Sequence, residues 1–309
     1  MKILITGGAG FQGSHLVESL LERGHEVSIL NTFSDEARRN TASLSSSVHR
    51  IWGSITDAEL VEKSVRGHDV VFHMAARINV DESLVNPLSF LNVNVLGTHH
   101  VLEAIRRNGG RLIYASTCEI YGDGHALKEG ELLNESAELR PNSPYAASKA
   151  AADRLCHSYF RSFGTDVVIV RPFNIFGERQ KSGRFGALIP ILVSRALRGE
   201  PLTVFGTGDA TRDYLHVQDI VQGYRLALET PSLKGRAINF ASGRNIKIKD
   251  IIDFIARELR APVVHAEARP GEVSRFPADI SLARSFGFSP RVDIWEGIGR
   301  YIEWSKKQL

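Results

Sequence analysis

Short runs of β-branched and aliphatic residues alternate with amphipathic stretches from the first residues to about position 175. This alternation is typical of a parallel sheet covered by helices on both faces. We predict strands over Lys2 to Thr6, Glu26 to Leu30, Val48 to Trp52, Asp69 to His73, Arg111 to Ser116 and Asp166 to Val170. The pattern therefore predicts an α/β fold with a Rossmann-type, doubly wound parallel sheet.

Helical periodicity fills the segments between these strands. After the first strand, leucine and valine side chains fall on one helical face, and Gly24 follows where a left-handed cap belongs. We predict long helices over about 87–107 and about 144–163. Beyond residue 175 the pattern loosens into Gly- and Arg-rich loops, with a helix over 185–198 and short strands over 201–205 and 237–240.

Composition restricts the possible partners. The net charge is only +3, and the 38 Lys and Arg residues are interspersed with 35 acids, which argues against a nucleic-acid footprint. Two cysteines, Cys118 and Cys156, make neither a disulfide framework nor a metal motif. No apolar run approaches the ~20 residues of a membrane span. We expect a cytoplasmic protein without bound metal, nucleic acid or membrane.

A glycine-rich turn, Gly7-Gly8-Ala9-Gly10-Phe11-Gln12-Gly13, stands between the first predicted strand and its helix. Glycine lets the backbone turn tightly and approach a pyrophosphate, which then lies on the N–H groups of the helix start. This position predicts a dinucleotide site. The second strand ends at Asn31, where an acid usually binds the adenosine ribose, and Arg38 and Arg39 follow. We favour NAD and keep NADP as the less favoured alternative.

Tyr145 and Lys149 lie four residues apart in a predicted helix, so their side chains share one face. An ammonium beside a phenol lowers the tyrosine pKa from about 10, as a base acting on an alcohol requires. Ser116 and Thr117 end a predicted strand at the edge where open α/β sheets bind ligands. We predict that Thr117 hydrogen-bonds a reacting hydroxyl, Tyr145 removes its proton, and nicotinamide C4 accepts the hydride.

A series of further motifs runs in order through the chain. They are Gly7 to Gly13, His73 to Ala76, Asn92 to Thr98, Ser116 to Gly122, Tyr145 with Lys149, Arg171 to Asn174, Thr211 to Asp213 and Arg269 to Glu272. With them the chain resembles, nearly end to end, an extended short-chain dehydrogenase/reductase of the nucleotide-sugar epimerase and dehydratase group. Residues 1–175 then form an NAD(P)-binding Rossmann domain, and 176–309 form a smaller α/β lobe that binds a nucleotide sugar, with some segments crossing back.

The resemblance implies a role for each matching position. The dinucleotide is contacted by Gly7, Gly10, Phe11, Gln12, Gly13, Asn31, Ser54, Ile55, Met74, Ala75, Ala76, Asn94, Tyr145, Lys149, Pro172 and Ile175. The substrate, with a UDP-sugar favoured, is contacted by Ser83, Thr117, Asn174, Leu188, Phe205, Arg212 and Arg269. The group also implies a homodimer through a four-helix contact. One departure is Gly53-Ser54-Ile55, where the group commonly has an acid that contacts adenine.

The residues after Thr117 bear on which reaction follows oxidation at C4. Glu119 is positioned as a base for the C5 proton and the Cys118 thiol as a donor to a departing C6 hydroxyl, an arrangement that favours elimination of water. Thr117-Cys118-Glu119 resembles the tunicamycin-pathway UDP-N-acetylglucosamine 5,6-dehydratase. We favour a 4,6- or 5,6-dehydratase over a UDP-hexose 4-epimerase. A UDP-glucuronate decarboxylase, with Arg275 near the sugar carboxylate, and a non-catalytic dinucleotide-binding protein remain further alternatives.

Overall fold

The computed structural model describes residues 1–42, 44, 46–122, 130–183, 186–268 and 275–308. The chain divides into two compact units, each assembled from segments distant in sequence. The first unit takes Met1–Ile120, Pro141–Pro172 and Val221–Ile238, and the second takes Tyr121–Arg140, Phe173–Ile220 and Asn239–Leu309.

Strands and helices alternate through the first part of the chain. They are β1 (Lys2–Thr6), α1 (Phe11–Leu21), β2 (Glu26–Asn31), α2 (Asp35–Thr41), β3 (His49–Trp52), α3 (Ala58–Val65), β4 (Val70–His73), α4 (Val80–Val85), α5 (Pro87–Phe90), α6 (Gly97–Asn108), β5 (Arg111–Ala115), α7 (Pro144–Phe163) and β6 (Asp166–Pro172). The later elements are β7 (Asn174–Phe176), α8 (Leu188–Leu197), β8 (Leu202–Phe205), β9 (Thr211–His216), α9 (Val217–Glu229), β10 (Ala237–Phe240), β11 (Asn245–Lys247), α10 (Ile248–Leu259), β12 (Val263–Ala266), α11 (Ser281–Ser285) and α12 (Ile294–Lys306).

A seven-stranded sheet organises the first unit, in the order β10-β6-β5-β4-β1-β2-β3. The pairs from β3 to β6 are parallel, and all four residues of β4 are buried, as expected where helices cover both faces. The predicted doubly wound α/β fold is therefore confirmed. The strand order reverses between β1 and β4, which is where ligands bind in such sheets.

The prediction of one continuous helix over about 87–107 is wrong. The structure has the short α5, a π-helical segment over Leu91–Leu96, and then α6. Asn94 lies within the π-helical segment, and its side chain hydrogen-bonds both the N–H and the carbonyl of Arg77. Such wide turns occur mostly at functional sites, and here the wide turn carries an asparagine that binds a neighbouring loop.

The second unit contains a three-stranded sheet, β11-β9-β7, and a two-stranded parallel pair, β12-β8. Its core is an apolar cluster that includes Leu202 from β8, Ile252 and Ile255 from α10, and Ile298 from α12. The predicted helix over 185–198 and strand over 201–205 correspond to α8 and β8. In the described part of the chain, no helix combines the length and apolar character needed to cross a bilayer.

Candidate active site and dinucleotide cradle

The glycine turn leaves no room for side chains where the backbone is most tightly folded. Gly7 has φ of +77°, and a Cβ atom there would lie 2.7 Å from the backbone nitrogen of Ala75. A Cβ on Gly13 would lie 2.2 Å from the carbonyl oxygen of Gly7. No side chain caps the start of α1, which follows Gly10 directly. The turn therefore presents bare backbone N–H groups and fits the pyrophosphate of a dinucleotide.

Asn31 at the end of β2 is tied to this turn. Its Oδ1 accepts a hydrogen bond from the N–H of Ala9 at 3.3 Å, and its Nδ2 donates to the carbonyl of Thr32 at 2.9 Å. Asn40 donates to the carbonyl of Ala9 at 3.1 Å. Arg38 and Arg39 lie on α2 and are exposed. The amide that replaces the usual acid thus also stabilises the glycine turn.

A buried histidine links the first strand to the loop at Met74–Ala76. The Thr98 hydroxyl donates to the carbonyl of Asn94 at 2.6 Å, so it accepts its bond from Nε2 of His73 at 3.0 Å. Nδ1 of His73 then accepts from the Thr6 hydroxyl at 2.7 Å, and that hydroxyl accepts from the N–H of Ala75. Burial lowers the pKa of His73 to about 3, so the imidazole is neutral and its tautomer is set by its neighbours.

The catalytic candidates lie together at the carboxyl end of β5. Tyr145 and Thr117 are both buried, and Thr117 is near enough to Tyr145 to favour its phenolate. Nζ of Lys149 donates to the carbonyl of Ala115 at 2.6 Å and lies 4.3 Å from the ring centre of Tyr114. The structure therefore brings the predicted threonine, tyrosine and lysine to one end of the sheet that also carries the glycine turn.

Burial dominates the proton affinities of this pair. It lowers the pKa of Lys149 to about 8 and raises the pKa of Tyr145 well above 10, while the nearby Thr117 side chain opposes the rise. The expectation that the Lys149 ammonium lowers the tyrosine pKa below 10 is therefore wrong. The ammonium is directed at the Ala115 carbonyl and the Tyr114 ring, and the phenol is desolvated.

Cys118 and Glu119 begin a short 3₁₀ turn that follows Thr117. Cys118 is buried, Glu119 is partly exposed, and the N–H of Glu119 donates to the Thr117 hydroxyl at 3.3 Å. Both side chains are near enough to Tyr145 that a negative charge on either would raise the pKa of the phenol. Two ionisable groups thus share the surroundings of the predicted base.

Sequence reasoning missed a buried ion pair directly behind these residues. Asp153 and Arg171 are almost completely buried, and Nε and Nη2 of the guanidinium donate to the two carboxylate oxygens at 2.9 Å each. The Ser116 hydroxyl donates to the same carboxylate at 2.8 Å. Burial alone raises a carboxyl pKa, but the bonds and charges of Arg171 and Arg154 hold the pKa of Asp153 below its usual value.

This cluster connects the three elements that carry the predicted site. Ser116 precedes Thr117 after β5, Asp153 lies one helical turn beyond Lys149 on α7, and Arg171 precedes Pro172 at the end of β6. The spacing of Lys149 and Asp153, four residues on one helix, was the available sequence signal.

Several other predicted residues lie in the first unit. The Ser83 hydroxyl is buried and donates to the carbonyl of Val80 within α4. Asn94 Nδ2 donates to the Ser148 hydroxyl at 2.9 Å, which connects it to α7. Gln12 accepts a hydrogen bond from the hydroxyl of Tyr224 at 2.9 Å. Ile55 is buried, whereas Phe11, Ser54, Met74, Ala75 and Ala76 are partly exposed and Pro172 is buried.

The remaining candidates lie in the second unit. Asn174 and Arg212 are on the neighbouring strands β7 and β9, and Nδ2 of Asn174 donates to the carbonyl of Asp213 at 3.0 Å. The Arg212 guanidinium lies over the Phe276 ring at 5.6 Å. Ile175 is buried, and Leu188 and Phe205 are partly exposed. Arg269 lies outside the described residues.

Asp213 is a second buried carboxylate that the sequence reasoning did not single out for chemistry. It accepts hydrogen bonds from the N–H and hydroxyl of Ser242 and from the N–H of Gly243. Burial outweighs these bonds and raises its pKa to about 6. Across the described residues, no cluster of three or more histidine, cysteine or carboxylate side chains could hold a metal ion.

The fold and this arrangement define a dinucleotide-dependent enzyme of the short-chain dehydrogenase/reductase type. Residues 3–241 match the family model of the NAD dependent epimerase/dehydratase family. The chain belongs to this family. The predicted enzyme class and the expected NAD cofactor are thereby confirmed.

Named relatives span more than one reaction. The chain is 33% identical to a putative UDP-glucose 4-epimerase of Methanocaldococcus jannaschii, over 98% of each chain. It is 35% identical to a dTDP-glucose 4,6-dehydratase of Streptomyces niveus, over 98% of this chain and 92% of that one. A UDP-glucuronic acid 4-epimerase of Bacillus cereus, solved with UDP-glucuronic acid and NAD, is similar with a TM-score of 0.91 at 31% identity over 100% of both chains. The family is thus established, and these relatives differ in the reaction they catalyse.

Proposed function

We propose that this protein oxidises C4 of a nucleotide-linked hexose with NAD and then eliminates water across C5 and C6. The observation that carries the proposal is the buried grouping of Thr117, Tyr145 and Lys149 at the sheet edge that carries the glycine turn. The named relatives act on or bind UDP- and dTDP-linked sugars, which supports a nucleotide sugar as substrate. A UDP-sugar is the favoured form.

We assign the binding of the dinucleotide to the first unit and that of the sugar diphosphate to the second. Gly7 and Gly13 leave room for the pyrophosphate, and the N–H groups at the start of α1 hold it. Asn174 and Arg212 in the second unit supply an amide and a guanidinium for the sugar diphosphate. When bound, oxidised NAD accepts a hydride from C4, and its positive charge favours the Tyr145 phenolate.

The oxidation step uses Thr117, Tyr145 and Lys149. Thr117 hydrogen-bonds the C4 hydroxyl, and Tyr145 as phenolate takes its proton while the C4 hydrogen leaves as hydride. The Lys149 ammonium favours that phenolate once the coenzyme has changed its surroundings. The ketone formed at C4 then makes the C5 proton acidic.

Elimination is favoured by the two residues after Thr117. The Glu119 carboxylate removes the C5 proton, the C5–C6 double bond forms, and the C6–O bond breaks as the Cys118 thiol protonates the departing oxygen, which leaves as water. Return of the hydride to C6, with the proton returned by Glu119 to C5, would give a 6-deoxy-4-keto sugar. Return of the hydride to C4, with the proton returned by Tyr145 to the C4 oxygen, would give a 5,6-ene. The proximity of both side chains to Tyr145 supports these roles.

Product analysis in deuterated water tests the proposal. We expect purified protein with UDP-N-acetylglucosamine or UDP-glucose to give an alkene or a 6-deoxy-4-keto product by NMR. Glu119→Gln should abolish elimination, whereas Glu138→Gln, an exposed acid in a loop of the second unit, should not. A 4-epimer whose C5 carries no deuterium would instead establish epimerisation, and loss of carbon dioxide from UDP-glucuronate would establish decarboxylation.

We further propose a homodimer through the helical face of the first unit. Large apolar side chains are exposed along α4, α5 and the π-helical segment, including Leu84 at 64%, Leu88 at 63% and Leu91 at 48%. Ala147 and Ala151 expose a strip of small side chains on α7, which packs against these helices. Light scattering should give twice the chain mass for the protein and the chain mass for Leu91→Glu. Leu132→Glu, at a similarly exposed leucine in the second unit, is the control.

A further inference from the structure

Two large aromatic side chains are exposed beside the glycine turn. Phe33 is 68% exposed and Trp52 is 39% exposed, although their rings pack edge to face with centres 5.3 Å apart. Trp52 is the last residue of β3, and Phe33 follows two residues after the end of β2. Aromatic rings carry a large apolar area, so an exposed pair of this kind is a candidate binding surface.

Backbone contacts connect this pair to the glycine turn. Asn31 and Trp52 are register partners on β2 and β3, and the N–H of Gly53 donates to the carbonyl of Asn31 at 2.9 Å. The Asn31 side chain in turn accepts from Ala9 within the turn. In a Rossmann fold the pyrophosphate lies at the start of the first helix and the adenosine ribose lies at the end of the second strand. An adenine attached to that ribose would have the end of β3 within reach, because β3 is the neighbour of β2 in the sheet.

The polar groups at this end of the sheet have local partners. The hydroxyl of Ser54 bonds the hydroxyl of Thr56 at 2.8 Å and accepts from the N–H of Thr56. Asp57, the first carboxylate after β3, caps α3 by accepting from the N–H of Leu60 at 3.0 Å. The two positions where an acid was expected to contact adenosine hold Asn31 and Ser54. Neither position therefore offers a carboxylate to the adenine, and a different kind of contact has to bind the base.

We propose that Phe33 and Trp52 form an aromatic wall against which the adenine of the bound dinucleotide stacks. This inference rests on the NAD site but not on the sugar chemistry. A carboxylate accepts a hydrogen bond from the adenine amino group and so distinguishes adenine from hypoxanthine. Stacking uses the π-face that every base has, so it tolerates such a change. The aromatic wall thus predicts tight but permissive binding of the purine.

Calorimetric titration of the full-length chain, freed of bound dinucleotide, with ADP-ribose tests the proposal. We expect Phe33→Ser and Trp52→Ser each to weaken binding by roughly tenfold, as loss of one base-stacking contact does. The conservative Phe33→Tyr and Trp52→Phe should bind within about threefold of the parent chain, because each keeps an aromatic face. Thermal melting of every variant shows whether the fold is retained.

Phe163→Ser is the matched control, because Phe163 is 58% exposed and also packs edge to face, with Tyr159 at 5.1 Å. It should leave ADP-ribose binding unchanged. Replacing adenine by hypoxanthine in the ligand should cost less than about threefold. Unchanged binding by both serine variants, or strong rejection of the hypoxanthine ligand, would overturn the proposal. Because ADP-ribose contains no sugar substrate, neither result depends on which sugar reaction the enzyme catalyses.

Discussion

Asp153 in the first unit and Asp213 in the second are both completely buried near predicted binding residues. They differ in whether their hydrogen-bond donors are charged. Asp153 in the first unit is paired with the buried guanidinium of Arg171 and is also contacted by Arg154. Asp213 in the second unit instead accepts hydrogen bonds from neutral groups, the N–H and hydroxyl of Ser242 and the N–H of Gly243. The pKa of Asp153 lies below its usual value, and that of Asp213 is raised to about 6.

The difference between these two pKa values shows how far hydrogen bonds from neutral donors stabilise a buried carboxylate that lacks a counter-charge. Burial disfavours the ionised form of both residues, and both accept several hydrogen bonds. In the part of the chain that the structure describes, Asp153 has a guanidinium within bonding distance and Asp213 has no such cation, so Asp153 stays ionised throughout the neutral range. The first unit therefore holds a permanent ion pair behind Thr117, whereas the second holds a carboxylate that titrates near pH 6 beside Arg212.

The largest effect is expected from breaking the ion pair. Asp153→Asn leaves the Arg171 guanidinium buried without its counter-charge, which costs about 3–5 kcal/mol of unfolding free energy. We expect urea unfolding at pH 7 to show this loss and turnover to fall with it, because Ser116 loses its acceptor next to Thr117. A variant as stable as the parent chain would show that the pair contributes nothing to the fold.

The next effect separates the two carboxylates by pH. The raised pKa of Asp213 means that the folded chain keeps a proton that the unfolded chain, with a pKa near 3.8, releases. Its stabilising contribution is therefore complete below about pH 3.8 and is lost as the pH rises through 6, by about 2 kcal/mol between pH 4.5 and 7. Asp213→Asn removes this dependence. We measure the free energy of unfolding of the parent chain and of Asp213→Asn by urea at pH 4.5 and at pH 7. The value for the parent chain minus that for the variant should be about 2 kcal/mol smaller at pH 7 than at pH 4.5.

Asp153 has the opposite sign and provides the comparison. Its lowered pKa makes its contribution fully present above the unfolded value of 3.8 and lost only as the pH falls below it. The stability difference between the parent chain and Asp153→Asn should thus stay constant from pH 4.5 to 7. A fall in that difference over this range would mean that both carboxylates titrate alike.

A smaller effect is expected from the serines that donate to each carboxylate. Ser116→Ala and Ser242→Ala each remove one hydrogen bond to a buried carboxylate, at 2.8 Å and 2.6 Å, and should cost about 1.5–3 kcal/mol. Only the first should also lower turnover, since Ser116 adjoins Thr117. Equal losses of turnover in the two variants would show that the Asp153 cluster is no more closely connected to catalysis than Asp213 is.

The smallest effect is expected from the outer arginine of the ion pair. Arg154 contacts Asp153, but its side chain is 49% exposed, so Arg154→Met should change the unfolding free energy by less than about 1 kcal/mol. The same urea experiment measures it. A loss as large as that of Asp153→Asn would mean that Arg154, rather than Arg171, holds the carboxylate.

Much of the fold follows from local patterns in the sequence. Alternating strands and helices predicted the parallel sheet because central strands such as β1 and β4 are apolar on both faces, and the Gly7–Gly13 turn predicted where a dinucleotide binds. The wide turn at Asn94 was not predictable, because it depends on bonds to Arg77, which is distant along the chain. Periodicity reports only local geometry, so it predicted one continuous helix.

The candidate site could be predicted in part. Thr117, Tyr145 and Lys149 were found because they fall at a strand end and on one helical face. The raised pKa of Tyr145 was not, since it depends on how completely the fold removes water from the phenol. Asp153 was not predicted because its partner Arg171 lies on a separate element, the strand β6. Phe33 was not predicted because the exposure of a side chain is a property of the folded chain.

The close packing at Gly13 limits which residues this position can accept by mutation. The atom that any side chain would strike there is a backbone oxygen of Gly7, which no substitution elsewhere can remove. Gly24 and Gly67, by contrast, face open space and are constrained only by their backbone angles, which asparagine also tolerates. In a library of random variants, residue 13 should thus remain glycine even among members that no longer bind a coenzyme, because the turn itself would be lost.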